Sequence, residues 1–230
     1  MQKKSAVARY RAFTLIELIV VIALILLLAG LLLPALQNAT RVSRKTACAW
    51  NLKQVGIGVQ MFQGNNPENP REYFPGPWLN SKPWTRQVAD FMKTKEGGSV
   101  FVCPGSAMRT TNSTYSAHPT LFANPPRPRT AIRSPQKVIL AADGTQGGGP
   151  GYAAAALLTK LPADSFETAS LETLISATDG TDADGAGKEG HLRYRHRVSG
   201  RKLMNAVFVD GHVEEAERGT VKIKNFSLTR

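Results

Sequence analysis

The sequence is poor in cysteine and in acidic residues, and several common enzyme motifs are missing from it. It has two cysteines, which form no Cys-x-x-Cys pair, and 17 acidic against 29 basic residues, giving a formal net charge of +12. It has no Gly-x-Ser-x-Gly element, and the glycine run at 147–149 leads into Pro150 instead of a phosphate-binding lysine. These absences argue against a dithiol redox enzyme, a hydrolase with a nucleophile elbow and a P-loop nucleotide-binding protein.

Charge is also scarce from Phe13 to Leu36, where Glu17 is the one charged residue. A helix over these residues rises about 1.5 Å per residue and therefore crosses a hydrocarbon layer of roughly 30 Å. Residues 1–12, which precede it, are basic. We predict a leader peptide at 1–12 and the membrane-spanning half of a helix at 13–36.

The residues after this span continue the helical pattern. Apolar side chains recur at spacings of three and four, at Cys48, Leu52, Val55, Val59 and Phe62. We therefore predict an amphipathic second half of the same helix at 37–64, ended by the cluster at 64–67. A proline at position 34 removes one backbone hydrogen bond, so a kink is expected there.

Residues 65–230 are predicted to form one globular domain with an α+β fold. Ser81 is expected to cap a short helix whose Trp84, Val88, Phe91 and Met92 share one face. Short apolar, β-branched runs predict strands at 99–103, 137–142, 205–209, 212–215 and 221–228, with Asp210-Gly211 as a hairpin turn. The segments 104–136 and 143–165 are predicted to be loops, and 166–176 a helix.

Glu17 needs a partner if it lies in the membrane. A carboxylate at that depth costs about 2.5 to 3.5 kcal/mol on insertion scales. A cut between Ala12 and Phe13 would create an α-amine four residues before Glu17. That amine, or the same amine of a neighbouring subunit, could then pair with the carboxylate.

The stretch Arg11-Ala12-Phe13-Thr14-Leu15-Ile16-Glu17-Leu18 resembles the signature of the prepilin family. In that family a short basic leader and a small residue precede Phe-Thr-Leu-Ile-Glu and an apolar helix. The resemblance implies that a prepilin peptidase cuts after Ala12 and methylates the Phe13 amine, that Glu17 aids subunit docking, and that Pro34 loosens the helix. The family usually has glycine where Ala12 stands.

The same resemblance implies an α+β pilin-like fold and a structural role instead of an enzymatic one. The expected protein is a subunit of a type IV pilus or of a type II secretion pseudopilus, and both fit these residues. Its expected partners are other pilin or pseudopilin subunits, the prepilin peptidase and the cell inner membrane. It would cross that membrane once, with its C-terminal domain in the periplasm.

Later segments resemble a subgroup of prepilin-type proteins that has a C-terminal His…Asp-Gly segment. They are Cys48–Gln54, Phe101–Pro104 and His196 with Asp210-Gly211. The gap from His196 to Asp210 is longer than is usual there. This predicts a longer hairpin arm around residues 199–201.

Two further groups leave alternatives open. Cys48 and Cys103 form either a disulfide, which an oxidising compartment permits, or two separately buried thiols. Carboxylates at Asp179, Asp182 and Asp184 are the type of ligand that Ca²⁺ prefers, so this loop is either a calcium site or a solvated turn. No other cofactor is expected.

Two alternative functions rest on the basic C-terminal part. His191, His196, His212 and Asp210 have side chains that bind metals or transfer protons, so a membrane-anchored periplasmic metal-binding or hydrolytic protein is one alternative. The basic run at 193–202 has side chains that contact phosphates, so a minor DNA-binding pilin is the other. We favour packed or surface histidines and a solvated basic face, and a nucleic-acid partner is not expected.

Overall fold

A helix of 50 residues, α1 (Leu15–Gly64), forms the N-terminal part of the described chain. The structure, a computed structural model, describes residues 13–64, 69, 71–79, 82–94, 99–106, 113–145, 158, 180–181 and 190–228. The chain divides into two compact units, Met1–Thr40 and Arg41–Arg230. α1 continues through Pro34 and ends at Gly64, as the 64–67 cluster predicts. The kink at Pro34 stays a prediction.

The first part of α1 is apolar and exposed on all sides. Its most apolar window has a mean hydropathy of 3.1, and none of that window is buried. By length and composition alone, this helix is able to cross a membrane, and it is the one such helix among the described residues. A helix that is apolar all round needs an apolar environment, which fits the predicted span.

The second part of α1 buries one stripe, which confirms the predicted amphipathic pattern. The buried side chains are Cys48, Leu52, Val55, Val59 and Phe62. Polar contacts fix the same segment to the rest of its unit: Asn51 donates to the Val102 carbonyl at 3.1 Å, and Lys53 donates to the Gly211 carbonyl at 2.7 Å.

Short strands and one further helix follow. The second helix is α2 (Trp84–Phe91). The strands are β1 (Trp78–Leu79), β2 (Lys82–Pro83), β3 (Tyr115–Ala117), β4 (Ile139–Asp143), β5 (Gly180–Thr181), β6 (Leu192–Arg193), β7 (His196–Val198), β8 (Arg201–Phe208) and β9 (Val213–Glu217). β1 pairs with β2 and β5 with β6, while the other five form one antiparallel sheet. The predicted α+β pilin-like layout, a long helix packed on a small antiparallel sheet, is confirmed.

β8 is the central strand of this sheet. Ala206 pairs with β4 and with β9, and Leu203 pairs with β7 and with β9. Because a strand has two edges, β4 and β7 must share the edge of β8 that faces away from β9. The end of β4 and the start of β7 therefore meet beside the middle of β8.

Both faces of the sheet are covered. Alternate residues point to opposite faces, so Val207 packs with α1 and α2, while Ala206 and Phe208 pack with Val221 and Phe226 on the other side. The strand β4 is buried along its whole length for this reason. The two predicted hairpins are confirmed. Ser199-Gly200 joins β7 to β8 with positive φ at both residues, and Gly211 (φ 94°) lies in the turn between β8 and β9.

Two predicted strands are wrong. Residues 99–101 form a 3-10 helix, because the carbonyls of Phe101 and Val102 bond to the Thr114 N–H and to the Asn51 side chain instead of to a strand. Residues 223–225 also form a 3-10 helix, closed by the bond from Asn225 N–H to the Lys222 carbonyl. Val221 and Phe226 pack on the face of the sheet opposite α1, and the segment 221–228 adds no strand to the sheet.

Other expectations changed in detail. The N-cap of α2 is Pro83 instead of Ser81, because residues 82–83 pair with β1 up to the first helical residue. The segment predicted as a loop at 104–136 contains β3, whose three residues were too few to show alternation. The helix predicted at 166–176 lies outside the described residues.

A close approach between α1 and β8 explains a glycine in the helix. A Cβ built on Gly56 would lie 2.8 Å from Cγ2 of Val207. Val207 is fully buried on the central strand, so it has no room to move aside. Glycine at this position lets the helix backbone come close to the sheet.

We expect Gly56→Ala to lower the free energy of unfolding by about 1 to 3 kcal/mol, because the new methyl group overpacks the contact with Val207. The measurement is urea unfolding of the full chain in detergent. Gly64→Ala is the matched control, since, among the described residues and apart from its chain neighbours and the helix's own backbone, no atom lies within 4 Å of its added Cβ. Equal stability of the two variants would contradict the close approach.

Candidate functional site

The first site is the start of α1, where Thr14 and Glu17 bond to each other. Thr14 donates to Oε2 of Glu17 through its backbone N–H at 2.8 Å and through its hydroxyl at 2.7 Å. The Glu17 N–H donates to the Thr14 hydroxyl at 3.3 Å. This reciprocal pattern is a capping box, which satisfies backbone donors at the start of a helix.

The capping box has a consequence for the predicted processing site. The backbone N–H that donates a hydrogen bond to Glu17 belongs to the peptide unit joining Phe13 to Thr14. Glu17 is therefore held one residue from the position of the amine that cleavage would create. Phe13 is described and exposed, whereas Ala12 lies outside the described residues. The Thr-x-x-Glu spacing is the sequence signal that indicates this cap.

The second site is a buried cluster of Cys48, Cys103, Asp143 and His196, which lie on four separate segments. One ligand atom from each lies within 4.8 Å of the others, and all four residues are buried. Asp143 is at its centre. Its Oδ2 lies 3.2 Å from His196 Nε2 and 3.5 Å from Cys48 Sγ.

Arg195 provides the main counter-charge for this buried carboxylate. Its Nε lies 3.0 Å from Asp143 Oδ1, with both side chains almost fully buried. The same guanidinium donates to the Gly144 carbonyl at 2.6 Å and to the Thr114 carbonyl at 3.3 Å. The backbone N–H of Asn205 also donates to Asp143 Oδ2, at 3.0 Å. A buried charge is tolerated in a protein when it is paired and hydrogen-bonded in this way.

The topology of the sheet brings these groups together. Asp143 is the last residue of β4 and His196 is the first of β7, and these strand ends share one edge of β8. Cys48 lies on the buried stripe of α1, above this edge. Cys103 follows the 3-10 helix at 99–101 and is fixed by the bond from its N–H to the Thr114 hydroxyl, at 2.6 Å.

The cluster shifts the pKa values of its members. Burial raises the pKa of Asp143, but hydrogen bonding to His196 and the charge of Arg195 outweigh burial and hold it below its usual value. Burial lowers the pKa of His196, yet its contacts with Asp143 and Cys103 raise it to about 9. The hydrogen bond from Cys48 lowers the pKa of Cys103 to about 7, and burial raises that of Cys48 well above its usual range.

This geometry differs from that of a nucleophile–histidine–acid relay. Such a relay uses one imidazole nitrogen for the nucleophile and the other for the carboxylate. Here Cys103 Sγ lies 3.5 Å from His196 Nε2, and Asp143 contacts the same Nε2. The cysteine, the carboxylate and the imidazole therefore converge on one point.

The structure separates the histidines that the sequence grouped together. His196 is in the buried cluster, whereas His212 pairs with Asp210 and stacks on Phe208 at the β8–β9 hairpin. His191 bonds through its backbone to the Thr145 hydroxyl. The alternative function that grouped three histidines with Asp210 is therefore not supported, because these residues occupy different places in the fold.

The predicted cysteine pair is brought together, but both thiols are free. They match the alternative of two buried thiols in being free and buried, but they lie next to each other in one cluster. The expected calcium ligands Asp179, Asp182 and Asp184 lie outside the described residues.

The sequence interpretation missed Asp143 and Arg195. Asp143 directly follows the apolar run of the predicted strand at 137–142, and a carboxylate at the end of a buried strand is a signal for a paired charge. Arg195 was interpreted only as part of the basic run at 193–202, for which a solvated face was favoured. Part of that run is not a solvated face, because Arg195 is buried against Asp143.

The comparisons with known proteins identify the N-terminal segment. Residues 7–33 match the family model of the prokaryotic N-terminal methylation motif, which is the type IV prepilin-type signature. The match covers the predicted cleavage site, Glu17 and most of the apolar span. No curated protein and no solved structure matches the chain.

We expect Asp143→Ala to lower the free energy of unfolding by about 3 to 5 kcal/mol, because it leaves the buried Arg195 without its counter-charge. The measurement is urea unfolding of the full chain in detergent. A chelator is present, so that no bound metal ion contributes to the measured stability. Asp210→Ala is the control, since it removes a half-exposed carboxylate paired with a histidine and should cost about 1 kcal/mol or less. A small effect at position 143 would contradict the buried ion pair.

Proposed function

We propose that this chain is a prepilin-type structural subunit. A prepilin peptidase removes residues 1–12 and methylates the Phe13 amine, and the mature chain assembles with other pilin or pseudopilin subunits. The observation that carries the proposal is the methylation motif at 7–33, placed directly on an exposed apolar helix. Proteins with this motif are structural subunits, and the proposal extends that role to this chain.

The apolar helix supports membrane insertion before assembly and helix bundling after it. The exposed apolar residues from Phe13 to Leu36 need either lipid or other helices around them. In this proposal the helix crosses the inner membrane once, and the domain at 65–230 lies in the periplasm. Assembly then exchanges lipid contacts for contacts with the helices of other subunits.

The outer face of the second helical half offers further contacts between subunits. Trp50 is 65% exposed, and Ile57 and Met61 are also exposed on the same helix. Residues of this face line a groove with His212 and Val213 at the β8–β9 hairpin. Large apolar side chains at the surface are typical of protein interfaces.

A hydrolytic role is less well supported. Its histidine group is dispersed in the fold, and the cysteine and carboxylate of the buried cluster share one imidazole nitrogen. A structural subunit requires no such relay. We therefore propose an associative function without enzymatic activity.

The charge and the capping role of Glu17 can be separated by two variants. Glu17→Gln keeps a side chain that serves in a capping box but removes the charge that would pair with the Phe13 amine. We expect filament yield to fall about tenfold or more, since about 1.4 kcal/mol of lost pairing changes an equilibrium constant tenfold. The measurement is the mature chain in the sheared filament fraction of cells with a working assembly machinery.

Thr14→Ala is the matched control, because it removes the cap and keeps the charge. It should cost about 0.5 to 2 kcal/mol at the start of the helix and leave assembly near the wild-type level. Wild-type assembly by Glu17→Gln would contradict charge pairing between subunits. Loss of assembly by Thr14→Ala alone would assign Glu17 a purely local role.

A further inference from the structure

We propose that Cys48, Cys103, Asp143 and His196 bind one Zn²⁺ ion inside the compact unit Arg41–Arg230. Their four ligand atoms lie within 4.8 Å of one another in a buried position. Each residue comes from a different segment, so the ion would join α1, the turn after the 3-10 helix, β4 and β7. This inference does not depend on filament assembly and concerns the domain itself.

The distances between the ligand atoms fit a tetrahedral zinc site. Zinc bonds of about 2.0 to 2.3 Å place tetrahedral ligands roughly 3.3 to 3.8 Å apart. The separations are 3.5 Å from Cys48 Sγ to Asp143 Oδ2, 3.5 Å from Cys103 Sγ to His196 Nε2, and 3.2 Å from His196 Nε2 to Asp143 Oδ2. The four groups are already close to the spacing that one ion requires.

The surrounding hydrogen bonds orient these ligands as outer partners do in metal sites. Oδ1 of Asp143 pairs with Arg195, while Oδ2 accepts the Asn205 N–H and lies near Cys48 Sγ and His196 Nε2. The Gly105 N–H donates to Cys103 Sγ at 3.3 Å, and the Tyr115 hydroxyl donates to Cys48 Sγ at 3.4 Å. Such partners fix the direction of metal ligands and tune their basicity.

The charges of the site balance when zinc is bound. Two thiolates and one carboxylate contribute three negative charges, and Zn²⁺ with the Arg195 guanidinium contributes three positive ones, while His196 binds as the neutral imidazole. A neutral total is important in a buried site, because an uncompensated charge there is costly.

Zinc explains this set of side chains better than calcium or a simple disulfide does. Two sulfurs, one imidazole nitrogen and one carboxylate oxygen are ligands of zinc, whereas Ca²⁺ takes six to eight oxygens. A disulfide would use the two sulfurs only, and it would give no reason for the buried carboxylate and imidazole that converge on them. All four ligands come from the protein, which is typical of a structural zinc site.

The test uses the full chain, produced with zinc in the medium and extracted in detergent. We expect one zinc per chain by elemental analysis. Both thiols are buried even without metal, so the comparison is one of rates: a thiol reagent should modify them more slowly with zinc bound than after a strong chelator has removed the metal. Replacement by Co²⁺ should give the spectrum of a tetrahedral ion with thiolate ligands, and this wild-type result does not depend on how any variant folds.

Asp143→Asn and Cys103→Ser each remove a ligand and should weaken zinc binding by more than the roughly 10- to 100-fold that loss of an outer partner costs. His212→Gln is the control, because it changes a histidine paired with a carboxylate outside the cluster and should keep the full zinc content. Three results would each overturn the proposal. They are a disulfide between the two cysteines without metal, reactive free thiols in the presence of zinc, and zinc content unchanged by both ligand substitutions.

Discussion

The structure of the unit Arg41–Arg230 depends on the burial of one carboxylate, that of Asp143. The group is fully buried, so its charge has to be compensated by partners inside the protein. Those partners are Arg195, which directly precedes β7, His196 at the start of β7, the Asn205 N–H of β8 and the Cys48 thiol of α1. One buried charge thus links the helix to the sheet, and the proposed zinc ion would strengthen the same link.

The helix and the methylation motif could be predicted from the sequence because their signals are local. The apolar run that begins at Phe13 and the three- and four-residue spacing from Cys48 to Phe62 follow from helical geometry alone. The Asp210-Gly211 and Ser199-Gly200 hairpins were also predictable, since glycine provides the positive φ angles that these turns need.

The buried cluster could not be predicted, because it depends on pairing between distant segments. Cys48 and Asp143 are 95 positions apart, and Cys103 and His196 are 93 apart. Only the shared edge of β8 brings the end of β4 next to the start of β7. The strand predicted at 221–228 was wrong for a related reason. Its apolar residues alternate because they pack on the sheet, and alternation alone does not distinguish a segment that packs on a sheet from a strand of that sheet.

We propose that the chain becomes a filament subunit only after residues 1–12 are removed. The most direct measurement is the intact mass of the full chain extracted from membranes of cells that contain an active prepilin peptidase, with a known substrate of that enzyme as control. The account predicts a chain that begins at Phe13 and carries one added methyl group. A chain that retains residues 1–12 while the control substrate is cleaved, or one cut after the apolar span at 13–36, would contradict it.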